Sequence, residues 1–301
     1  MATAHIGNAR LTTESKDIAT RTILLTTVAM LAFAANSLLC RLALGHELID
    51  AASFTTVRAV SGAVALCLIV LLRRRPRQPS TANWLSAAML FVYMAFFSFA
   101  YRSLSAGTGA LVLFGAVQLT MFIVALRDGE HFSQWSWAGL TAAILGLVYL
   151  VSPGLTAPDP LGAVLMAIAG TAWGFYSLLG RGSTDPLEAT ARNFVYAAPL
   201  AVIVSLVFSS GFHITPNGLA LAVASGALAS GCGYVIWYAA LAGLTGTRAA
   251  TVQLTVPVIA AFGGIVLLSE QVTLRLLVAS AATLGGVAIV VAQRAAKPRS
   301  S

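Results

Sequence analysis

Long stretches without any charged residue alternate with short polar segments along the chain. Uncharged stretches run, for example, from Thr22 to Cys40 and from Ser103 to Leu126, and a helix needs about 20 mainly apolar residues to cross a membrane. The stretch from Asn193 to Thr247 is too long for one helix, and turn residues in its middle divide it. The pattern predicts ten spans, at about residues 20–43, 51–72, 82–101, 105–126, 134–151, 160–180, 187–208, 218–242, 248–269 and 273–293.

The composition supports a membrane protein over a water-soluble one. Hydrophobic residues make up 58% of the chain and charged residues 9%, against about 25% charged residues in soluble domains. Backbone polar groups in hydrocarbon need partners within their own segment, so spans of this length must be helices. We therefore predict an all-α integral membrane protein. Residues 1–19 are expected to form a polar N-terminal tail and residues 294–301 a basic C-terminal tail, and the first span is expected to be retained as a helix.

The basic residues are unevenly distributed between the two ends of the predicted spans. The formal net charge is +8. If the spans alternate in direction, one end receives only Arg41, Arg102 and Arg275. Because basic residues stay on the cytoplasmic side, we expect a bacterial-type inner (plasma) membrane protein with both termini in the cytoplasm, and no nucleic-acid partner. The other end receives Arg10, Lys16, Arg21, Arg73, Arg74, Arg75, Arg77, Arg127, Arg181, Arg248, Arg294, Lys297 and Arg299.

Two segments 140 residues apart are near copies of each other. AFAANSLLCR at residues 32–41 aligns with AWGFYSLLGR at residues 172–181, with half of the positions identical, and Gly146 matches Gly286 at the same spacing. We infer from these copies that the chain is a duplicated unit of five helices. Because five is odd, the second copy must enter the membrane from the opposite side. The predicted fold is ten transmembrane helices in two inverted five-helix repeats around a central cavity. The repeats are residues 20–151 and 160–293.

An inverted repeat of this kind favours transport. Two similar bundles that lie upside down to each other can pack in two related ways, one open to each side, which is the basis of alternating access in secondary transporters. A channel with inverted repeats and a repeat that serves only for packing are the alternatives. Single-channel currents, which far exceed the turnover of a carrier, would separate a channel from a transporter.

The residues resemble a known family. The motif that ends predicted helices 1 and 6 at Arg41 and Arg181, the short link between helices 3 and 4, and the glutamates Glu130 and Glu270 that close helices 4 and 9 are similar to the drug/metabolite transporter superfamily in its ten-helix EamA-type form. The resemblance covers about residues 20–293. It implies a central cavity lined by helices 1, 3, 4, 6, 8 and 9 that carries small metabolites, often outward, with aromatic amino-acid exporters as one branch.

One position departs from the family pattern. Many members have a proline within both helix 4 and helix 9. Here Pro257 lies in helix 9, but helix 4 has Gln118 in the corresponding region. A kink shared by helices 4 and 9 is therefore not expected, and the pocket could differ in shape from that of family members with both prolines.

Polar and aromatic residues inside the spans are the candidates for a substrate site, because lipid-facing positions gain nothing from them. Phe33, Asn36 and Ser37 share one face of helix 1. Their counterparts on helix 6 are Trp173, Tyr176 and Ser177. An uncharged lining rich in aromatic rings and amides suits a flat or zwitterionic solute of modest size. The candidate substrate-binding residues are Asn36, Ser37, Tyr93, Phe97, Gln118, Trp173, Tyr176, Ser177, Tyr234, Trp237, Tyr238 and Gln253.

Some of these residues have a simpler explanation. Asn36 or Gln118 could only bond a neighbouring helix. Trp84, Trp135 and Trp137 are expected at the membrane interface, as aromatic residues near helix ends usually are.

Charged residues are almost absent from the middle of the spans. All ten Asp and Glu residues lie in termini, loops or helix ends, whereas proton-coupled exporters of cations usually need a buried carboxylate. Arg58 is the one charge well within a predicted span. We expect its side chain to snorkel to the interface, with binding of a substrate carboxylate as the alternative.

The leading hypothesis is an inner-membrane exporter of small metabolites, amino acids including aromatic ones, that uses alternating access of the two repeats. A proton-coupled multidrug or cation exporter and, less favoured, a lipid or glycan-carrier flippase are the alternatives. No nucleophile with a base and no metal-ligand spacing is present, so we expect neither an enzyme nor a cofactor. The expected partners are a small-molecule substrate and the lipid bilayer, and the chain is expected as a monomer or homodimer.

Overall fold

The chain folds into ten apolar helices in a computed structural model, which describes residues 2–73, 83–180, 183–244 and 246–296. The side chains of residues 2–19, 246–247 and 294–296 are not described. The basic residues Arg74, Arg75, Arg77, Arg181, Lys297 and Arg299 lie outside the described residues. The helices are α1 (Ala2–Gly45), α2 (Ala51–Leu72), α3 (Trp84–Ala100), α4 (Ala106–Arg127), α5 (Gln134–Val151), α6 (Pro160–Leu179), α7 (Pro186–Val207), α8 (Pro216–Leu241), α9 (Gly246–Gln253 and Thr255–Leu268) and α10 (Leu274–Ala296).

The observed helices match the predicted spans to within a few residues. In the described part of the chain, nine helices are long and apolar enough to cross a membrane, and α3 is a shorter apolar helix of 17 residues. The prediction of an all-α membrane fold with ten spans is therefore confirmed. The first helix begins at Ala2, so it includes most of the predicted polar tail at residues 1–19.

The helix starts are set by side-chain caps. The first N–H groups of a helix have no partner within it, and Asp, Asn, Ser and Thr side chains can accept from them. From α2 to α8, every helix has such a residue immediately before it, and its side chain accepts from the N–H three residues later. These caps are Asp50, Asn83, Ser105, Ser133, Asp159, Asp185 and Thr215.

The helices alternate in direction, so the bundle has two faces. The face with the α1–α2, α3–α4, α5–α6, α7–α8 and α9–α10 connections is called the Ser105 face. There the Ser103 hydroxyl donates to Asp159 over 2.8 Å. The opposite face, with the α2–α3, α4–α5, α6–α7 and α8–α9 connections, is called the Asp185 face. There Arg73 donates to Asp185 over 2.9 Å.

The packing of α5 against α10 displays the inverted symmetry. Gly146 packs against α10, where an added Cβ would lie 3.0 Å from the carbonyl oxygen of Ala279. Gly286 packs against α5 in the same way, with an added Cβ overlapping the carbonyl oxygen of Gly139. Adding 140 to residues 146 and 139 gives residues 286 and 279, so the two contacts are copies of each other. The repeats therefore lie head-to-tail, related by a pseudo-twofold axis.

The other helix pairs follow the same rule. The second, fourth and fifth helices of one repeat pack against their own counterparts, α2 on α7, α4 on α9 and α5 on α10. The first helix of each repeat packs across the boundary, α1 on α8 and α9, and α6 on α3 and α4. Side chains of α1, α3, α6 and α8 therefore converge at the centre of the molecule.

Two helices of the second repeat depart from regular α geometry. In α8 a π-helical segment, Ala224–Cys232, joins two α-helical pieces. In α9, within the span predicted at residues 248–269, the helix is interrupted at Leu254. Pro257 explains the interruption, because proline has no N–H to donate to the preceding turn. The counterpart α4, which lacks a proline, is uninterrupted.

Candidate substrate-binding site

A small cavity lies at the centre of the bundle, between the two repeats. Its volume is about 20 Å³, which is room for about one water molecule. The lining side chains come from α1, α3 and α4 of the first repeat and from α6 and α8 of the second. They are Phe33, Asn36, Ser37, Tyr93, Phe97, Leu113, Phe114, Trp173, Ala229, Ser230 and Tyr234.

Aromatic rings from both repeats form one cluster around the cavity. The Trp173 ring lies at its centre, stacked on Tyr234 with ring centroids 5.4 Å apart and tilted against Tyr93 at 4.8 Å. Phe33 packs edge-on against Tyr234 at 5.9 Å. Offset and edge-on contacts of this kind are the favoured arrangements of aromatic pairs. The cluster presents flat apolar surfaces to whatever enters the cavity.

A chain of hydrogen bonds runs through the polar side of the cavity. The Ser225 hydroxyl donates to Asn36 Oδ1 over 2.7 Å. Asn36 Nδ2 donates to the Tyr93 hydroxyl oxygen over 3.3 Å, and Arg58 Nη2 donates to the same oxygen over 3.0 Å. The network links α1, α2, α3 and α8, so Asn36 bonds neighbouring helices and also lines the cavity.

The expectation that Arg58 snorkels to the interface was wrong. Its side chain is 0% exposed, and the residue lies about 10 Å along α2 from the helix start. The guanidinium carbon lies 5.1 Å from the ring centroid of Tyr93 and 4.9 Å from that of Phe97. Favourable cation–π contacts and the bond to Tyr93 hold the group in the core. The sequence could not show this, because the direction of the side chain depends on which helices pack around α2.

Close approach of α8 to α2 encloses Arg58. An added Cβ at Gly226 would overlap the carbonyl oxygen of Arg58 and the hydroxyl of Ser61, so only glycine fits there. Gly226 belongs to the π-helical segment of α8, which also places Ser225 and Ser230 toward α1 and the cavity. Short π-helical segments often occur at functional sites.

A second group of hydroxyls lies beside the aromatic cluster. Tyr176 packs against Trp173 with ring centroids 5.3 Å apart, and its hydroxyl donates to Thr190 over 3.5 Å. The Tyr238 and Thr190 hydroxyls are 3.2 Å apart. Because Thr190 lies in the first turns of α7, this group extends from the cavity toward the Asp185 face.

The structure brings together six of the twelve candidate residues as cavity lining, namely Asn36, Ser37, Tyr93, Phe97, Trp173 and Tyr234. Three more are neighbours of that lining. Tyr176 and Tyr238 belong to the hydroxyl group, and Trp237 packs on Phe33 with ring centroids 5.9 Å apart. Ser177 donates to the carbonyl oxygen of Trp173 in its own helix over 2.8 Å.

Gln118 and Gln253 do not line the cavity. Both are half-buried, Gln118 on α4 and Gln253 at the interruption of α9. Sequence reasoning also missed Leu113, Phe114, Ala229 and Ser230 as lining residues. Their signal was weak, because aliphatic and small residues are equally common in ordinary helix packing.

Ionic contacts close the bundle above the cavity at the Ser105 face. Glu270 accepts from Arg41 Nε over 3.1 Å and from the backbone N–H of Ala106 over 2.9 Å. Arg41 Nη1 also donates to the carbonyl oxygen of Tyr101 over 3.1 Å. These contacts tie α1 and the α3–α4 link to the end of α9. Glu270 follows Ser269, which has a left-handed φ of 54°, just as Glu130 follows Gly129 with φ 82°.

At the Asp185 face, an ion pair joins the two repeats. Burial alone would raise the pKa of Asp185, but the hydrogen bond and positive charge of Arg73, with the N–H of Glu188, lower it below its ordinary value. Asp185 is therefore ionised at neutral pH. The equivalent of the Arg41–Glu270 pair at this face would include Arg181, which lies outside the described residues.

Comparisons with known proteins agree with this architecture. The EamA-like transporter family matches residues 20–152 and 160–292, one match for each repeat. An uncharacterized protein from Pseudomonas aeruginosa is 52% identical over 274 residues, covering 91% of this chain and 96% of the relative. An uncharacterized transporter from Archaeoglobus fulgidus is 23% identical over 91% of this chain and 98% of its own length.

Other similarities are more distant. The uncharacterized transporter YoaV of Bacillus subtilis is 21% identical over 74% of this chain and 81% of its own length. One crystal structure is similar in fold, with a TM-score of 0.63 at 20% identity, and the match covers 88% of this chain and 97% of that one.

Proposed function

Because the chain belongs to the EamA-like transporter family, we propose that it exports small metabolites across the bacterial inner membrane, with amino acids, aromatic ones among them, as its substrates. The observation that carries the proposal is the aromatic cavity between the two inverted repeats. Substrate sites of secondary transporters lie at such repeat interfaces, near the middle of the bilayer.

The chemistry of the lining fits this substrate class. Trp173, Tyr234 and Phe33 offer flat apolar surfaces for the side chain of an amino-acid substrate. Asn36 and Ser37 offer hydrogen bonds for the polar end of the same substrate. Ligand pockets combine a mainly apolar lining with a few polar groups in this way.

Alternating access explains how so small a cavity could serve as a substrate site. A cavity of about 20 Å³ is far below the about 300 Å³ of small-molecule pockets, so the site must open to admit a solute. In this proposal, the Arg41–Glu270 contact separates when the site opens at the Ser105 face, which faces away from the cytoplasm. The Arg73–Asp185 contact then remains closed at the cytoplasmic face, and the roles exchange in the return step.

A proton-coupled exporter of cations is less compatible with the site. The eleven lining residues include neither Asp nor Glu, and the charged group behind Tyr93 is an arginine. A positive charge beside the cavity raises the free energy of a bound cation.

Transport by the purified full chain in proteoliposomes tests the proposal. We expect labelled L-phenylalanine to leave loaded vesicles faster than it leaves protein-free vesicles. Trp173→Ala should slow this efflux at least about tenfold, because it removes the central ring of the site. Trp135→Ala is the matched control, since Trp135 is 68% exposed on α5 and should retain the wild-type rate. Rates equal to protein-free vesicles across a broad panel of amino acids would contradict the proposal.

A further inference from the structure

Arg58 is a fully buried charge without an acidic partner. None of the ion pairs among the described residues includes it. Its Nη2 donates to Tyr93, whereas Nε and Nη1 are buried without any hydrogen-bond partner. A buried guanidinium with two of its three nitrogens unsatisfied is unusual, because buried charges are normally paired.

The free energy cost of this arrangement is only partly offset. Placing a charge at such depth in a membrane helix lowers stability even on the scales that give the smallest penalty. The two ring contacts and one hydrogen bond compensate part of it. Residues whose burial lowers stability in this way are often retained for function.

The guanidinium lies directly behind the wall of the cavity. The two rings on which it packs, Tyr93 and Phe97, both line the cavity. The Tyr93 oxygen accepts from Asn36 and Arg58, so its own proton remains for a third partner. Ser230, another lining residue, also has a buried hydroxyl without a partner.

These groups have one property in common, which is that each can donate to an oxygen acceptor. The Tyr93 phenol and the Ser230 hydroxyl line the cavity, the Arg58 guanidinium lies behind Tyr93 and bonds to its oxygen, and the lining supplies no acidic group to balance the charge. Charge-assisted bonds from arginine to a carboxylate are about twice as strong as bonds between neutral groups. The missing partner is therefore an anionic oxygen group.

We propose that Arg58, together with Tyr93 and Ser230, binds the carboxylate of the transported solute. The inference rests on the proposed function, since it identifies the charged group that the exporter recognises. Binding replaces an uncompensated charge by a pair, so the carboxylate contributes most of the affinity. Amines without a carboxylate are rejected, because they would bring a second positive charge to the site.

Three probes of the same ring size separate the charged groups. They are 3-phenylpropionate, with a carboxylate and no amine, phenethylamine, with an amine and no carboxylate, and L-phenylalanine, with both. Thermal unfolding of the purified full chain measures their binding, because a ligand of the folded form raises the melting temperature. We expect stabilisation by 3-phenylpropionate and L-phenylalanine and none by phenethylamine.

Substitution of Arg58 gives the second readout. Arg58→Met should melt at or above the temperature of the wild type without ligand, because apolar replacement of a buried charge is often neutral or stabilising. Its apparent affinity for 3-phenylpropionate should fall at least about 30-fold, the usual result of removing one partner of a buried charge pair. Arg102→Gln, which removes an exposed arginine of the Ser105 face, should bind like the wild type. If Arg58→Met does not fold, Tyr93→Phe should weaken the same probe about tenfold.

Carboxylate affinity within threefold of the wild type in Arg58→Met would overturn the inference, as would equal stabilisation by phenethylamine and 3-phenylpropionate. Efflux of L-phenylalanine from proteoliposomes then shows whether the exporter proposal stands without it. If the wild type moves no probe, the exporter proposal fails. In that case, a loss of 3-phenylpropionate stabilisation in Arg58→Met would still establish the anion site. If the stabilisation persists in Arg58→Met, both the anion site and the exporter proposal are contradicted.

Discussion

Asp50 and Asp185 hold the two repeats together in the same way at opposite faces of the bundle. Each caps the second helix of its own repeat, through the N–H of Ser53 for Asp50 and of Glu188 for Asp185. Each also contacts the other repeat. Asp50 accepts from the backbone N–H of His213 over 3.1 Å, and Asp185 accepts from Arg73 over 2.9 Å. Both repeats therefore have an aspartate that caps the second helix and also accepts a hydrogen bond from the other repeat.

The contribution of the Arg73–Asp185 ion pair to stability should depend on pH. The pKa of Asp185 is lowered in the folded protein, so the carboxylate stabilises the fold above the ordinary value near 4, and this contribution is lost as the pH falls through the folded-state pKa. Asp185→Asn keeps a capping side chain but removes the charge. At pH 7 we expect the free energy of unfolding of the mutant to be lower than that of the wild type by less than about 1 kcal/mol. The difference should shrink as the pH falls below the ordinary pKa and through the lowered one, and a difference that stays constant from pH 7 into strong acid would contradict the assignment.

The Arg41–Glu270 contact should control access from the Ser105 face. Cys40 is fully buried, and in the sequence of α1 it lies between Arg41 of that contact and the cavity residue Ser37. Glu270→Gln removes the charge that holds Arg41 and weakens the bond to Ala106. We expect Cys40 to react with a membrane-impermeant thiol reagent several-fold faster in Glu270→Gln than in the parent, in a background where Cys67 and Cys232 are replaced by alanine. Equal labelling rates in the two proteins would refute a closing role for this ion pair.

Neighbouring glycines on α10 allow a matched test of the repeat interface. An added Cβ at Gly286 would meet the backbone of α5, whereas one at Gly285 meets nothing within 4 Å. Gly286→Ala should therefore lower the free energy of unfolding by about 1 to 3 kcal/mol through overpacking. Gly285→Ala should have no such effect or raise stability slightly, because alanine is the better helix former. Thermal unfolding of both variants decides the matter, and equal melting temperatures would argue against close packing of α5 on α10.

Replacing Gly226 by alanine should impair transport, because no side chain fits at this position. Alanine there would push α8 away from Arg58 and Ser61 on α2, and the displacement would separate Ser225 from Asn36. We expect Gly226→Ala to reduce L-phenylalanine efflux at least about tenfold, because small misplacements in a binding site have large effects on rate. Gly211→Ala, at a position with nothing within 4 Å, is the control. Wild-type efflux in Gly226→Ala would show that the approach of α8 is not needed.

Much of this fold could be predicted from the sequence. Hydropathy located the helices because lipid requires long uncharged segments, and the bounds of α2 and α5 agree with the predicted spans to the residue. The near copies ending at Arg41 and Arg181 indicated the inverted repeat, since an odd number of helices per copy leaves no other arrangement.

The site was only partly predictable, because a lining depends on which faces meet. Asn36 and Trp173 follow from polar or aromatic character within a span, and both line the cavity. Gln118 has the same character but lies outside the lining, since α4 turns other residues toward the centre. The buried position of Arg58 and the π-helical segment of α8 arise from contacts between distant helices, which no local pattern encodes.

The backbone contact between Gly139 and Gly286 limits how the molecule can move. No layer of side chains separates α5 from α10 at this point, so there are no rotamers whose rearrangement could let one helix slide past the other. In the proposed alternating-access cycle, we therefore expect α5 and α10 to stay in register at this contact and the repeats to rotate about it rather than slide past each other.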